Sequence, residues 1–259
     1  MNGVLTLLTD FGNSHYPSIL KGVILSRCPD LQLIDITHHC PAFQIRAAAF
    51  ILAQVVRQFR MPSVHLIVVD PGVGTDRDAI AVSIGDDRFL VGPDNGVLSW
   101  AMSGTKYEAR KLDMPDASSI TFHGRDVFAP VAAELACGYR DFQSIGQQVD
   151  PIMLPRTGFE AKNGKIHARV LFVDNFGNII VSVHRDDQIF RTKERLQVVV
   201  DKMIFQFQYG TYGKVSPDGL CWHYDSSGYI ELSVREGSFA GRSGLGWEDS
   251  VILQQVDYG

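Results

Sequence analysis

The stretch VVDPGVGTDRD, from Val68 to Asp78, decides how the rest of the chain is read. Val64, Leu66, Ile67, Val68 and Val69 run up to a carboxylate, Asp70, and Pro71, Gly72 and Gly74 follow at once, then Arg77. An apolar strand that ends in a charge and turns through glycine is how an α/β protein presents a reactive group. Asp70 is therefore the first candidate for chemistry.

The segments on either side repeat the pattern. VLTLL (4–8) reads as a buried strand feeding the loop TDFG, which carries Asp10 and Phe11. Tyr16, Ile19, Leu20, Val23 and Ile24 recur at helical spacing, and Pro29 stands where that helix has stopped. LQLIDI (31–36) is a second strand; Ile45, Ala48, Ala49, Leu52, Val55, Val56 and Phe59 then mark one face of a long helix. The strand ending at Asp70 is the third. This alternation predicts an α/β fold, a mostly parallel sheet flanked by helices with ligands at the carboxyl ends of the strands. AIAVSI (79–84) and RFLVG (88–92) read as a hairpin, GPDNG as a tight turn, and TFHGRD (121–126) as the lead into a helix with Phe128, Val131, Ala132 and Leu135 on one face, closed by Gly138.

From about Asp141 to Gly164 the periodicity fades among Pro151, Pro155, Gly158 and Gly164. Beyond it HARVLFVD, NIIVSV, LQVVV, MIFQFQ, GYIELSV and SVILQQV are short strands with little helical pattern between them. The expected organisation is an N-terminal α/β domain over 1–150, a linker over 151–164, and a smaller C-terminal antiparallel β-barrel-like domain over 165–259.

Composition narrows the partners. The 259 residues are 45% hydrophobic and 20% charged, enough to bury a full core, and the net charge of −5 gives no footprint for nucleic acid. A small-molecule partner is expected. The amino terminus has no leader pattern and no apolar run approaches a membrane span, so the expected location is the cytoplasm. Cys28, Cys40, Cys137 and Cys221 form no CxxC pair and read as reduced thiols.

The polar residues at predicted loops are Asp10, Asp70, Arg77, Asp94, Asn95, His123, Arg125, Asp126, Asp174 and Asn178. Singly each is weak, because an Asp beside a Gly is more often a turn residue or a helix cap than a catalyst. Arg125 beside Asp126 reads as a local ion pair at a helix start. His38 and His39, next to Cys40 and close to Asp35, suggest a metal cluster, but neighbours on a strand point to opposite faces and do not converge on one ion. No metal and no cofactor are expected.

Together the motifs say more. TDFG, DITH, VVDPGVGT followed by Arg, GPDNG, TFHGRDVFAP, VDNFGN and SSGY, in this order, resemble the S-adenosyl-L-methionine hydroxide adenosyltransferase family, water-using relatives of fluorinase and chlorinase. The resemblance runs from Thr9 to about Gly237. It implies hydrolysis of S-adenosyl-L-methionine (SAM) to adenosine and L-methionine by in-line attack of an activated water on the ribose C5′. It implies a catalytic triad of Asp70, Arg77 and His123. Asp10 would accept the ribose hydroxyls, Phe43 would pack on the sugar, and Phe11, Gly72, Val73, Asn95 and Phe122 would complete the pocket. Asp174, Asn178 and the turn carrying Ser226, Ser227 and Tyr229 would engage methionine and adenine. It also implies a homotrimer whose pocket lies between the amino domain of one subunit and the β domain of its neighbour. The chain departs from the pattern at His15, which precedes Tyr16, and at Val181 and Ser182 after VDNFGN, which bears on substrate preference.

Three rivals remain. A halogenase of the same superfamily has Tyr in place of Asp70; a carboxylate about 4 Å from a halide repels it by about 4 kcal/mol at an effective dielectric near 20. A metal-dependent phosphoesterase could use Asp10, Asp70, Asp94 and Asp126 as oxygen ligands. A non-catalytic module could bind SAM and leave it intact.

Overall fold

The computed structural model describes residues 3–59, 61–85, 87–115, 118–190 and 195–256, in two compact units, Met1–Pro155 and Arg156–Gly259. In the first unit β1 (Val4–Thr9), α1 (Tyr16–Arg27), β2 (Gln32–Thr37), α2 (Ile45–Val56) and β3 (Ser63–Val68) alternate as the periodicity predicts. β4 (Ala79–Ile84) and β5 (Arg88–Pro93) form the expected hairpin, followed by the short α3 (Ser99–Met102), β6 (Tyr107–Lys111), α4 (Ala129–Ala136) and β7 (Gln148–Val149). The seven strands lie in the order β2-β1-β3-β5-β4-β6-β7, and β2, β1, β3 and β5 run parallel. Parallel neighbours put their carboxyl ends on one edge, so Asp10, Asp70 and Asp94 follow three adjacent strands at the same rim.

Side-chain alternation explains the layers. Leu5, Leu7, Val64, Leu66 and Val68 share one sheet face and pack with Leu20 and Ile24 of α1 and with Val131, Ala132 and Leu135 of α4. α2 and α3 pack together, and α2 meets β1. Pro17 in the first turn of α1 sits where a missing N–H costs no helical hydrogen bond.

The sequence does not foretell one covalent feature. Cys28 and Cys137, expected as reduced thiols, are joined in a disulfide, with their Cα atoms 6.5 Å apart. Each caps the C-terminal end of a helix, α1 and α4, and those two helices pack side by side. Their sequence separation of 109 hides the proximity from any reading of spacing. Cys40 and Cys221 are free and buried.

In the second unit the strands are β8 (Glu160–Lys162), β9 (Lys165–Val173), β10 (Ile179–His184), β11 (Arg195–Val200), β12 (Met203–Tyr209), β13 (Leu220–Tyr224), β14 (Tyr229–Val234) and β15 (Ser250–Val256), with a short α5 (Phe239–Ser243) before β15. β9 bonds β15 through its first half and β10 through its second, which closes a seven-stranded barrel with β8 alongside. The β-barrel of the sequence reading is present, and the pairing differs at one place: β12 and β13 run parallel. Parallel neighbours need a crossover, so the connection from Gly210 to Gly219 returns across the strands instead of turning tightly. Val198, Phe207, Trp222, Ile230, Leu232 and Leu253 fill the barrel. Val181 and Ser182 belong to this wall: Val181 is buried, and the Ser182 hydroxyl accepts from the Arg169 N–H and donates to the Gly158 carbonyl. Among the described residues no helix is long and apolar enough to cross a membrane.

His65 of β3 is fully buried between two hydroxyls, with Nδ1 at 2.8 Å from Thr6 and Nε2 at 3.1 Å from Ser63. Burial, aided by the Arg88 charge, pushes its pKa down to about 4. The unfolded chain, with an ordinary imidazole near about 6.5, then binds the extra proton between these values. Stability from this group is complete above about pH 6.5 and is lost as pH falls towards about 4, by about 3 kcal/mol in all. Urea unfolding at pH 7 and pH 4.5 should show the drop, and a His65→Gln variant should show a flatter pH dependence than wild type.

Candidate active site

β3 ends at Val68, and the chain turns through Asp70–Thr75 so that Arg77 comes back onto Asp70. Gly74 has φ +80°, and a Cβ there would lie 2.6 Å from the Ile120 carbonyl oxygen. Its glycine is thus required by the approach of the loop that carries His123. Gly72 is also hemmed in by protein atoms, the nearest being Arg77 Cγ at 3.3 Å from its hypothetical Cβ.

Arg77 is fixed from every side. Its Nε donates to Asp70 Oδ1 at 2.9 Å and its Nη2 to Asp70 Oδ2, a bidentate pair whose side chains are 9% and 6% exposed. Nη1 reaches the Asp78 carbonyl at 3.3 Å, and the guanidinium carbon lies 5.3 Å from the centre of the Phe128 ring. Nη2 also donates to His123 Nδ1 at 2.8 Å. Guanidinium has no acceptor, so Nδ1 must present its lone pair and the neutral ring carries its proton on Nε2. Burial, then the Arg77 charge, lowers the His123 pKa, while Asp70 and Asp126 oppose the shift. His123 is held as a neutral Nε2–H donor.

His123 begins a single π-helical turn, Gly124–Phe128, that runs into α4. Such turns re-aim side chains, and here one insertion supplies both His123 and Phe128 to Arg77. A Cβ on Gly124 would meet Val68 at 2.9 Å, so glycine lets the turn sit directly on the end of β3.

A cavity of about 320 Å³ opens over this group, within the usual range for small ligands. Of the residues read from the sequence, Asp10, Phe11, Phe43, Asp70, Val73, Phe122 and His123 line it. Asp10 Oδ2 accepts the Phe43 N–H at 3.0 Å, which holds Phe43 at φ +65° with its ring 70% exposed. Phe11, Phe122 and Tyr16 form an aromatic wall with ring centres 5.3 to 5.9 Å apart. Arg125 stacks behind Phe122 and pairs with Asp126 at 2.6 Å. Asn95 stands behind the wall: its side chain donates to the Val69 carbonyl at 3.0 Å and so braces the residue before Asp70. Asp94 accepts the Ile152 N–H, and burial raises its pKa. Tyr16, Ala42, Thr121 and Gly124 also line the cavity, and the motifs do not single them out as site residues. Tyr16 fitted the apolar spacing of α1, which concealed a half-exposed ring at the helix start. The neighbouring His15, a departure from the motif, lies against that ring at 4.6 Å.

The barrel unit has a cavity of its own, about 650 Å³, lined by Asp174, Phe176, Asn178, Tyr212 and the Val234–Ser238 segment. Asp174 ties the VDNFGN turn, its Oδ1 accepting the Phe176 and Asn178 N–H groups and its Oδ2 the Asn178 side chain at 2.9 Å. Ser226, Ser227 and Tyr229 stand at the opposite end of β14 from Val234. There Asp225 accepts the Ser227 and Tyr229 N–H groups, and His184 meets the Ser227 carbonyl at 2.9 Å. The structure therefore does not gather them with Asp174 and Asn178. Tyr212, which joins those two at the cavity, lies in the connection between β12 and β13, where strand alternation carries no signal. His38 is taken up by Thr9 and Asp35, and among the described residues no group of three or more His, Cys, Asp and Glu side chains is placed to hold a metal ion.

An α/β unit with a carboxylate, a guanidinium and an imidazole locked together at its strand ends, followed by a closed barrel with a second polar cavity, defines a two-domain ligand-binding architecture of a specific kind. Family models for the SAM hydroxide adenosyltransferase N-terminal and C-terminal domains match residues 5–146 and 168–252. The chain belongs to the SAM hydroxide adenosyltransferase family. It is 36% identical over 255 residues to an (R)-S-adenosyl-L-methionine hydrolase of Salinispora tropica, covering 93% of this chain and 94% of that one. It is 31% identical to the protein of the same name from Methanocaldococcus jannaschii, covering 89% and 88%. It is also 26% identical to a fluorinase of Nocardia brasiliensis, covering 77% and 72%. The crystal structure of an uncharacterised conserved protein from Thermotoga maritima superposes with a TM-score of 0.88 at 32% identity, over 97% of this chain and 99% of that one.

The Arg77 contact makes the His123 tautomer measurable. Long-range ¹⁵N–¹H correlation on protein labelled at histidine nitrogen should show an unprotonated Nδ1 and a protonated Nε2 for His123 at pH 7. In Arg77→Lys the mixture of tautomers should broaden or shift.

Proposed function

We propose that this protein hydrolyses SAM to adenosine and L-methionine. The observation that supports this most is the bidentate Asp70–Arg77 pair with His123 Nδ1 on Arg77, set in the wall of a cavity at the strand ends. The leaving group departs as a neutral thioether, taking the C5′–S bonding pair onto sulfur, so expulsion requires no acid; the difficulty lies in the nucleophile. In this reading a water accepts the His123 Nε2–H with one lone pair and aims the other at C5′. Its proton passes to Asp70 as the C5′–O bond forms and the C5′–S bond breaks. Arg77 steadies the hydroxide character as that transfer proceeds. Alignment opposite sulfur supplies the rest, a contribution worth roughly 7 to 11 kcal/mol when reacting groups are well placed.

Asp10 takes the ribose hydroxyls, since a carboxylate accepts two donors at once, and Phe43 packs on the sugar. Asp174 and Asn178 engage the methionine and adenine ends. The named relatives support preference for the (R) configuration at sulfur. No resident cofactor is part of the proposal, and the trimer implied by the motifs is: light scattering should give three times the 28.7 kDa chain mass.

Pure protein incubated with SAM in halide-free buffer containing chelator should release adenosine and methionine in equal amounts, and Asp70→Asn should be slower by about a hundredfold or more. Chromatography reads both products. No adenosine above a boiled control, or an Asp70→Asn variant as active as wild type, overturns the mechanism. A halogenated nucleoside on adding chloride or fluoride would identify a halogenase; bound SAM recovered intact would identify a binding module; hydrolysis abolished by chelator would identify metal chemistry.

A further inference from the structure

Glu231 is a carboxylate that the reaction does not use, and it is only 9% exposed. Its neighbours Ile230, Leu232 and Val234 face the barrel core, so alternation puts Glu231 and Ser233 on the outer face of β14, yet Ser233 is buried as well. The crossover between β12 and β13 covers them. Tyr212, in that crossover, donates its hydroxyl to Glu231 Oε1, to which Ser233 also donates at 2.8 Å. His223 Nε2 lies 3.7 Å from the same oxygen, and its ring meets Tyr212 edge-on at 5.4 Å. Burial, with Glu231 beside it, drives the Tyr212 pKa up, so the hydroxyl keeps its proton.

The direction of these hydrogen bonds carries into the cavity. With its hydrogen committed to Glu231, the Tyr212 oxygen is left to accept, and Asn178 Nδ2 points to it at 3.4 Å. The same Nδ2 donates to Asp174 Oδ2 at 2.9 Å, where the carboxylate oxygen accepts. Both amide hydrogens of Asn178 are thus assigned by their partners, and Oδ1 is what the side chain has left to offer the cavity it lines.

We propose that Glu231 is a positioning residue that, through Tyr212, fixes the Asn178 amide with its oxygen towards the barrel cavity, so that the cavity selects a base with an N–H donor at position 6, a 6-aminopurine, over its 6-oxo counterpart. This rests on the reading that the barrel cavity takes the adenosyl end of the substrate. A base with a carbonyl at that position would set two acceptors against each other, and a site built to satisfy a donor rejects the analogue lacking it strongly. Tyr212 contributes a ring at the cavity wall in addition to its hydroxyl, so the two contributions must be separated.

Calorimetry with the whole protein, using adenosine and inosine as probes, does this. Wild type should bind adenosine about tenfold or more tighter than inosine. Tyr212→Phe keeps the ring and should weaken adenosine about five- to tenfold while inosine stays within about twofold. Glu231→Gln, whose amide can meet Tyr212 with either a donor or an acceptor, should shift the ratio in the same direction by less, with melting temperatures of both variants close to wild type. Equal weakening of both nucleosides marks a purely structural role and overturns the proposal. So does an unchanged ratio in both variants, a wild type without preference, or one that binds neither nucleoside. A wild type that prefers adenosine but leaves SAM intact would remove the hydrolytic reading and leave this inference standing.

Discussion

The guanidinium of Arg77 is the constraint on which the amino-terminal unit is arranged. It can donate but never accept, and it stays charged, so whatever surrounds it must supply lone pairs in fixed directions. Asp70 supplies two, the Asp78 carbonyl one, and His123 the fourth, while Phe128 closes the open face. The need to bring an imidazole and a phenyl ring to one cation explains the π-helical turn between them, and the need to seat that turn on β3 explains Gly124. Asn95 secures the same point from the other side by holding Val69. A charge placed at a strand end thereby dictates backbone geometry in three separate loops.

Much of this was legible in the chain. Helical spacing from Tyr16 to Ile24 and from Ile45 to Val56, set between apolar runs, is enough for a parallel sheet with helices on it, because no other layering buries both periodicities. The Asp70 strand end followed from an apolar run meeting glycine. What stayed hidden depends on long-range geometry. The π-turn has no local signature, since one inserted residue leaves the apolar spacing of α4 intact. The pairing of Cys28 with Cys137 requires knowing that α1 and α4 lie side by side. GYIELSV reads as a strand, and strand alternation puts Glu231 and Ser233 on the face away from the barrel core; only the crossover above them, which no local pattern announces, makes that face dry. The turn with Ser226 and Tyr229 shows the converse, a motif clear in sequence whose residues the fold sends to the far end of their strand.

The parallel β12–β13 pair has a topological effect on the barrel. An antiparallel meander leaves its outer surface bare, whereas a strand that must be re-entered in the same direction carries its connection back across its neighbours. Here that return path lays Tyr212 over the polar side of β13 and β14 and converts three surface residues, His223, Glu231 and Ser233, into an interior. The barrel has one core inside and a small polar one outside.

The bond between Cys28 and Cys137 has a consequence for the integrity of the molecule. Asp70, Arg77 and His123 all lie between those two cysteines, so one covalent ring encloses the whole triad. Closing a ring of about a hundred residues removes freedom from the unfolded chain worth about 4 to 5 kcal/mol in the chain-entropy model. It also means that a single cut in any loop from Pro29 to Ala136 severs the backbone without releasing a fragment. Such a nicked protein runs as one chain until a reductant opens the ring.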